Sequence, residues 1–244
     1  MHFRNNTDQD DRNILVRVIE NTSSQSADKI IKATNSQTKI DKIYLHATET
    51  VHRNIEHALK GVDLYYDRRK NYYRNLHKPS ARIITLPQLS QAVAAVYLQQ
   101  PNDARARPTT VADKNYKTIF SNSYPIALYV KCAQIIRRVD EYMDTYDLSS
   151  SEKNNLIFYI AMYATCRVLK MAKPKAPDIS AIEIVDRTDD LIDECYQEVS
   201  DLYTRNGGDD KAAKGPKVVE QIKRQLEHRF VEPLRASRGV PKFR

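Results

Sequence analysis

The chain has 244 residues, with 39 lysines and arginines against 31 aspartates and glutamates, a formal net charge of +8 and a pI near 9.2. This length allows one large or two small domains, and the charge favours polyanionic partners. Five glycines are too few for a turn-rich β fold and leave no glycine-rich phosphate loop, while three widely spaced cysteines indicate neither a zinc site nor a disulfide framework.

The apolar segments predict a protein that does not enter the membrane. The longest apolar run, Leu156 to Cys166, is too short to span a bilayer, and the polar N-terminus does not have the basic and then apolar order of a signal peptide. We therefore expect a soluble, cytoplasmic protein. Its cysteines, all within apolar helical patterns, are predicted to be buried thiols (Cys132, Cys166 and Cys195).

The first predicted elements are a strand, a helix and a polar loop. The β-branched run from Asn13 to Glu20 is the best strand candidate, and a serine-capped helix follows it. The helix should end at Thr34 to Thr38, because these side chains prefer local backbone hydrogen bonds to helix. Within this polar cluster, Asn35, Gln37 and Thr38 are candidate ligand-binding residues, although an ordinary helix-ending turn has the same composition.

A helix is predicted from Thr50 to Lys60, because apolar residues recur at four-residue spacing in this segment, and Gly61 should end it. Val62 to Arg68 then predicts a short strand, which could pair with Asn13 to Glu20. Arg82 to Thr85 is predicted to be a short extended piece.

The stretch from Asp63 to Lys78 has the most unusual composition in the chain. It contains four tyrosines and six arginine, lysine or histidine residues in sixteen positions. Cationic side chains neutralise phosphates and tyrosine rings offer faces for stacking, so this stretch predicts a nucleic-acid surface. The candidate contacts are Arg68, Arg69, Lys70, Tyr72, Tyr73 and Arg74. The alternative is a strand and turn with solvated arginines and half-buried tyrosines.

A second basic segment follows a helix predicted from Pro87 to Gln100. Residues Pro101 to Thr110 read as a proline-bounded loop that presents Arg105 and Arg107, our second candidate for phosphate contact. The alternative is a plain connector between the two halves of the chain.

The rest of the chain is predicted to be helical. Apolar stripes mark helices at Tyr124 to Tyr146, from Ser149 through Leu156 to Cys166, from Asp178 to Asn206, and from Pro216 to Phe230. The second of these is apolar on all sides, which predicts the central helix of a bundle. We thus expect a mainly α fold, α+β with a small N-terminal β element: a mixed region at 1–110, a helical bundle at 111–244, and a loose basic tail from about residue 233.

The residues predict no complete active site. The only acid-x-Lys pattern is Asp209 to Lys211, between two predicted helices, and no cluster of residues with metal-ligand spacing is present. We therefore expect no metal and no cofactor, and leave open whether the chain is an enzyme.

Several blocks of the sequence resemble the abortive-infection phage-resistance (AIPR) family. They are ILVRVIE (Ile14 to Glu20), TNSQTKI (Thr34 to Ile40), LYYDRRKNYYRN (Leu64 to Asn75), PNDARARPTT (Pro101 to Thr110) and NNLIFYIAMYAT (Asn154 to Thr165), in the family's order. The resemblance covers roughly residues 13–165 and corresponds to the C-terminal half of family members.

This resemblance implies a role in bacterial antiviral defence. Family members usually carry an upstream Asn-Gly-x-Gln-Thr segment that this chain lacks, which implies a fragment, a truncated product or a split subunit. Any nuclease activity would then need an upstream half or a partner. A more distant similarity to proteins with ParB-like nucleotide sites would place Asn35, Gln37 and Thr38 beside a nucleotide or nucleic-acid pocket.

Two functions remain open on the sequence. The first is a nucleic-acid-binding component of a phage-defence system, with DNA favoured over RNA. The second is a non-catalytic interaction subunit that docks a partner protein or a missing N-terminal half and completes a nuclease or nucleotide-dependent enzyme.

Overall fold

The computed structural model describes residues 42–106, 111–113, 115–171 and 184–231. Within this part of the chain the fold is mainly α, with one two-stranded sheet, which confirms the predicted fold class. The predicted strand at 13–20 and the polar loop at 34–38 lie outside the described residues.

The described helices include both short segments of 4 to 7 residues and long segments of 11 to 19 residues. In chain order they are α1 (Thr50–Lys60), α2 (Tyr72–Asn75), α3 (Leu86–Ala92), α4 (Pro101–Ala106), α5 (Tyr116–Ile119), α6 (Ile126–Met143), α7 (Ser150–Val168), α8 (Ile184–Asp189), α9 (Ile192–Arg205), α10 (Asp210–Lys214) and α11 (Lys217–Phe230). Short 3-10 helices cover Lys42–His46 and Ser80–Arg82, and Val93–Tyr97 extends α3 as a π-helix.

The sheet consists of β1 (Tyr65–Asp67) and β2 (Ile83–Thr85), which run parallel with Tyr66 opposite Ile84. Parallel strands need a long crossover connection, and here residues 68–82 provide it. The sequence indicated both extended segments but not that they pair with each other. The partner expected for β1, at 13–20, lies outside the described residues.

Helix α1 has the predicted boundaries, and Gly61 is its C-cap, as the sequence indicated. Gly61 keeps a right-handed φ of −65°. The left-handed residue that turns the chain away from the helix is Asp63, with φ of 58°, two positions beyond the glycine.

Helix α7 is the centre of the bundle, as predicted. The Ser149 hydroxyl accepts a hydrogen bond from the Glu152 N–H, and the Glu152 carboxylate accepts one from the Ser149 N–H, which is a complete capping box. Every residue from Asn155 to Cys166 is buried. Helices α6 and α9 pack against α7, and the three cysteines are buried free thiols, as expected.

Three predicted segments differ in the structure. Pro101–Ala106 is helix α4, not a loop, because Gln99 turns the chain at φ 57° and lets a new helix begin at Pro101. Within the described residues, the helix expected from 178 to 206 is interrupted at Asp190 and Leu191, which separate α8 from α9. Asp209 caps the short helix α10, which the sequence suggested to be a loop.

The buried core continues across residue 110. One apolar cluster includes Ile43, Ile84 and Val93 from the first part of the chain, together with Ile160 and Leu226 from the second. The division of the chain at that point stays a prediction.

Candidate nucleic-acid interface

The candidate interface is the basic turn, which we define as residues 68–78. It begins directly after β1, and left-handed residues, Asn71 at φ 63° and His77 at φ 55°, flank helix α2 within it. Asp67, which is only 2 % exposed, accepts a hydrogen bond from the Tyr73 N–H at 3.1 Å. This bond fixes the start of α2 against the end of the strand.

Glu56, on α1, accepts hydrogen bonds from two side chains of the basic turn. Arg68 donates from Nε to Glu56 Oε2 at 2.6 Å and from Nη1 to the Ala47 carbonyl at 2.8 Å. The Tyr73 hydroxyl donates to Glu56 Oε1 at 2.5 Å. Both oxygens of the carboxylate are therefore used, and the charged head of Arg68 is turned inward.

The environment of Glu56 keeps it ionised. Burial raises its pKa, but hydrogen bonds from Tyr73 and Arg68, together with the charges of Arg68 and Lys60, outweigh burial and leave the pKa below its ordinary value. Burial and the hydrogen bond to Glu56 raise the pKa of Tyr73, so the tyrosine stays a proton donor.

Four cations of the basic turn remain on the surface. Arg69, Lys70, Arg74 and Lys78 are all exposed, and none forms an ion pair with a carboxylate in the described part of the chain. Four such charges within ten positions create a local positive potential that favours phosphate oxygens.

Aromatic and apolar groups lie among these cations. The Arg69 guanidinium is 4.5 Å from the centre of the Tyr72 ring, and Lys78 Nζ is 5.0 Å from the centre of the Tyr65 ring. Tyr72 is 39 % exposed and Leu76 is 51 % exposed. The surface thus combines positive charge with accessible apolar faces, which is the combination that binds unpaired bases.

A buried hydrogen-bond chain connects β1 to α1 and α5. His52 is fully buried, with Nδ1 at 2.8 Å from the Tyr66 hydroxyl and Nε2 at 2.8 Å from the Tyr116 hydroxyl. Tyr116 donates its only proton to Glu49 Oε2 at 2.5 Å, so its oxygen accepts from His52 Nε2–H. His52 Nδ1 is hydrogen-bonded to the Tyr66 hydroxyl, and this bond positions the strand that leads into the basic turn.

No spacing pattern in the sequence predicted this chain of contacts. Tyr66 and Tyr116 lie 14 and 64 residues from His52, so no local spacing brings them together. Burial raises the pKa of both tyrosines, and both therefore remain protonated donors. A histidine at an inward-facing helix position was the only available indication.

The structure divides the predicted contact residues into different environments. Arg69, Lys70, Tyr72 and Arg74 are exposed on the basic turn, whereas the polar groups of Arg68 and Tyr73 bind Glu56. Four further predicted site residues lie outside the described part of the chain: Arg107, Asn35, Gln37 and Thr38.

Arg105 lies away from the basic turn, on α4. It donates from Nε to Asn155 Oδ1 at 2.6 Å and from Nη2 to Asp210 Oδ1 at 2.6 Å. Its side chain is 19 % exposed and lines a cleft to which no residue of the basic turn contributes. The two predicted phosphate-contact segments therefore do not form one surface through Arg105.

The acid-x-Lys pattern has a structural role. Asp209 accepts a hydrogen bond from the Ala212 N–H at 2.8 Å and so caps α10. Across the described residues, no group of three or more histidine, cysteine, aspartate or glutamate side chains is arranged to hold a metal ion. Nor does that part of the chain contain a helix that is both long and apolar enough to cross a membrane.

Comparison with known protein families identifies a match over most of the chain. The family model described as "AIPR protein" matches residues 1–210, which extends beyond both ends of the 13–165 range indicated by the sequence blocks. No curated protein and no solved structure matches the chain.

Proposed function

Because the chain belongs to the AIPR protein family, we propose that it acts in abortive-infection phage resistance by binding nucleic acid, with DNA favoured over RNA, through the basic turn. The observation that carries this proposal is the group of exposed cations at Arg69, Lys70, Arg74 and Lys78, which have no carboxylate partners in the described part of the chain. Phosphates supply the missing negative charge.

The framework of the basic turn also supports this function. Hydrogen bonds from Arg68 and Tyr73 to Glu56, and from Tyr73 to Asp67, fix the backbone that carries the cations. A fixed backbone loses less conformational entropy on binding than a free loop does. Tyr72 and Leu76 add accessible apolar area at the same place.

The test is charge reversal of the exposed cations alone. The triple variant Arg69→Glu, Lys70→Glu and Arg74→Glu leaves the bonds of Arg68 intact. We expect a loss of at least tenfold in affinity for a DNA oligonucleotide, and a fall of about 2 to 3 in the slope of log K against log salt concentration. Fluorescence anisotropy at several salt concentrations measures both.

A matched control distinguishes an effect of the basic turn on affinity from an effect of the net charge. Lys211, Lys217 and Arg224 are exposed and form no ion pair within the described residues, and their reversal lowers the net charge by the same six units, from +8 to +2. This variant should keep most of the affinity. Equal binding by the basic-turn variant and the wild type would exclude the proposed interface.

A second candidate function is the docking of a partner protein at the same surface. The observation in its favour is the exposure of Tyr72 and Leu76, at 39 % and 51 %, because protein interfaces cover such groups. Purification at low salt distinguishes the two functions. Co-purified nucleic acid raises the ratio of absorbance at 260 and 280 nm, whereas a docked subunit co-elutes in fixed stoichiometry.

A further inference from the structure

A cleft of about 500 Å³ lies apart from the basic turn, where β2, α3, α4, α6 and α7 meet. Its volume is within the range of small-molecule sites, about 300 to 1,000 Å³. The cleft joins two sequence blocks that the proposed interface does not use, since Arg105 comes from Pro101 to Thr110 and Asn154 from Asn154 to Thr165.

Side-chain amides with unused hydrogen-bonding groups line this cleft. Gln91 is 7 % exposed and donates from Nε2 to the Ala104 carbonyl at 2.7 Å, but its Oε1 has no partner among the described residues. Gln88 uses its Oε1 on Thr85 and keeps its amide nitrogen free. The exposed amide of Asn154 is unpaired within the described part. Unused hydrogen-bond donors and acceptors of three amide side chains therefore line the same cleft.

The charges in the cleft favour an anion. Arg105 and Arg137 line it with one carboxylate, Asp140, which binds Lys153 at 2.8 Å as well as Arg137 at 3.2 Å. A second carboxylate, Asp210, binds Arg105 at 2.6 Å but does not line the cleft. Arg105 is held in place through Nε and Nη2, and its Nη1 carries no hydrogen bond in the described structure. A fixed guanidinium with a free N–H is a suitable phosphate donor.

The remaining walls are apolar. Ile84, Pro87, Ile136, Ile157 and Phe158 line the cleft between the amides and the arginines. Flat heterocycles bind between such walls while amide side chains bond to their edges, as glutamine and asparagine do with bases. One ligand class matches all three features, because it combines a planar hydrogen-bonding ring with a phosphate.

We propose that this cleft binds a mononucleotide, with the base among the apolar residues and the amides of Gln88, Gln91 and Asn154, and the phosphate at Arg105. The site is separate from the basic turn, so the inference does not depend on the proposed nucleic-acid interface.

Isothermal titration calorimetry of the full chain tests this proposal, with AMP, GMP, CMP and UMP, their nucleosides and inorganic phosphate as probes. We expect at least one nucleotide to bind, and its nucleoside and inorganic phosphate each to bind at least about tenfold more weakly. The triple basic-turn variant should bind the nucleotide as well as the wild type does.

A charge variant locates the site. Asn154→Asp adds a carboxylate at an exposed position in the first turns of α7, where the helix dipole accepts negative charge, and should raise the Kd roughly tenfold or more. Asn54→Asp makes the same change at an exposed position of α1, outside the cleft, and should leave the Kd unchanged. Thermal unfolding without ligand checks that both variants are folded.

Four results would overturn the proposal. They are no heat from any nucleotide at millimolar concentration, equal affinity for phosphate and nucleotide, equal binding by Asn154→Asp and Asn54→Asp, and loss of nucleotide binding in the basic-turn variant.

Discussion

At the scale of single residues, Glu56 determines which cations of the basic turn can meet a ligand. It accepts hydrogen bonds from the Nε–H of Arg68 and the hydroxyl of Tyr73, so these side chains support the turn. Arg69, Lys70 and Arg74 stay exposed. The Arg68 and Glu56 side chains are only 14 % and 12 % exposed, so neither charge is well solvated without the other.

Replacing Glu56 with glutamine should therefore destabilise the protein in a pH-dependent way. The variant leaves the largely buried Arg68 without a charged partner, and we expect a loss of about 2 to 4 kcal/mol in the free energy of unfolding near neutral pH. The pKa of Glu56 is lower in the folded state than its usual 4.5, so its stabilising contribution is present above pH 4.5 and is lost as the pH falls through the lower folded pKa.

Urea unfolding at several pH values between about 7 and 3 measures this difference between wild type and variant. Glu220→Gln is the control, since Glu220 is exposed on α11 and forms no ion pair among the described residues. It should change stability by less than about 0.5 kcal/mol. A difference for Glu56→Gln that stays constant down to pH 3 would contradict the assigned ionisation.

At the scale of secondary structure, the local sequence sets helix starts more reliably than helix ends. Ser149 and Thr85 each form a capping box, with Glu152 and Gln88, and α7 and α3 begin directly after them. The chain reverses after several helices through positive φ angles, as at Gln99 and Gly207, and only the second of these is a glycine that a pattern could identify.

The capping box of α7 gives a prediction at this scale. Ser149→Ala removes the acceptor for the Glu152 N–H at the start of the central helix and should cost about 1 kcal/mol in the free energy of unfolding. Ser151→Ala removes the same hydroxyl two residues later, inside the helix, and should have little effect. Chemical denaturation of both variants makes the comparison, and equal losses would show that the cap does not stabilise α7.

At the scale of the whole molecule, the sheet and the helical bundle share one core. Ile84 in β2 and Val93 in the π-helix belong to the same apolar cluster as Ile160 in α7. A surface carried by β1 is therefore attached to the bundle through packed side chains. The predicted boundary near residue 110 is crossed by this core.

Unfolding should accordingly occur in one cooperative step, because no part of the shared core can be exposed alone. The chain contains 15 tyrosines and no tryptophan, so tyrosine fluorescence and far-ultraviolet circular dichroism report on its tertiary and secondary structure. We expect the two signals to give the same midpoint in a urea titration. Two separated transitions would instead support independent units on either side of residue 110.

Features that depend on neighbouring residues could be predicted from the sequence alone. Apolar spacing predicted α1, α6, α7 and α11 and the burial of α7, since a helix that is apolar on all sides must be covered. The sequence blocks indicated the family, which the match over residues 1–210 shows. Composition also marked the basic turn as an unusual surface.

The role of each side chain on that surface could be assigned only from the folded structure, because the partners that determine it are distant in the sequence. Glu56 lies 12 residues from Arg68, and Tyr116 lies 64 residues from His52. These pairings separate the supporting Arg68 and Tyr73 from the exposed Arg69, Lys70 and Arg74. The same packing places Arg105 in the cleft, away from the basic turn. No spacing in the sequence indicates this separation.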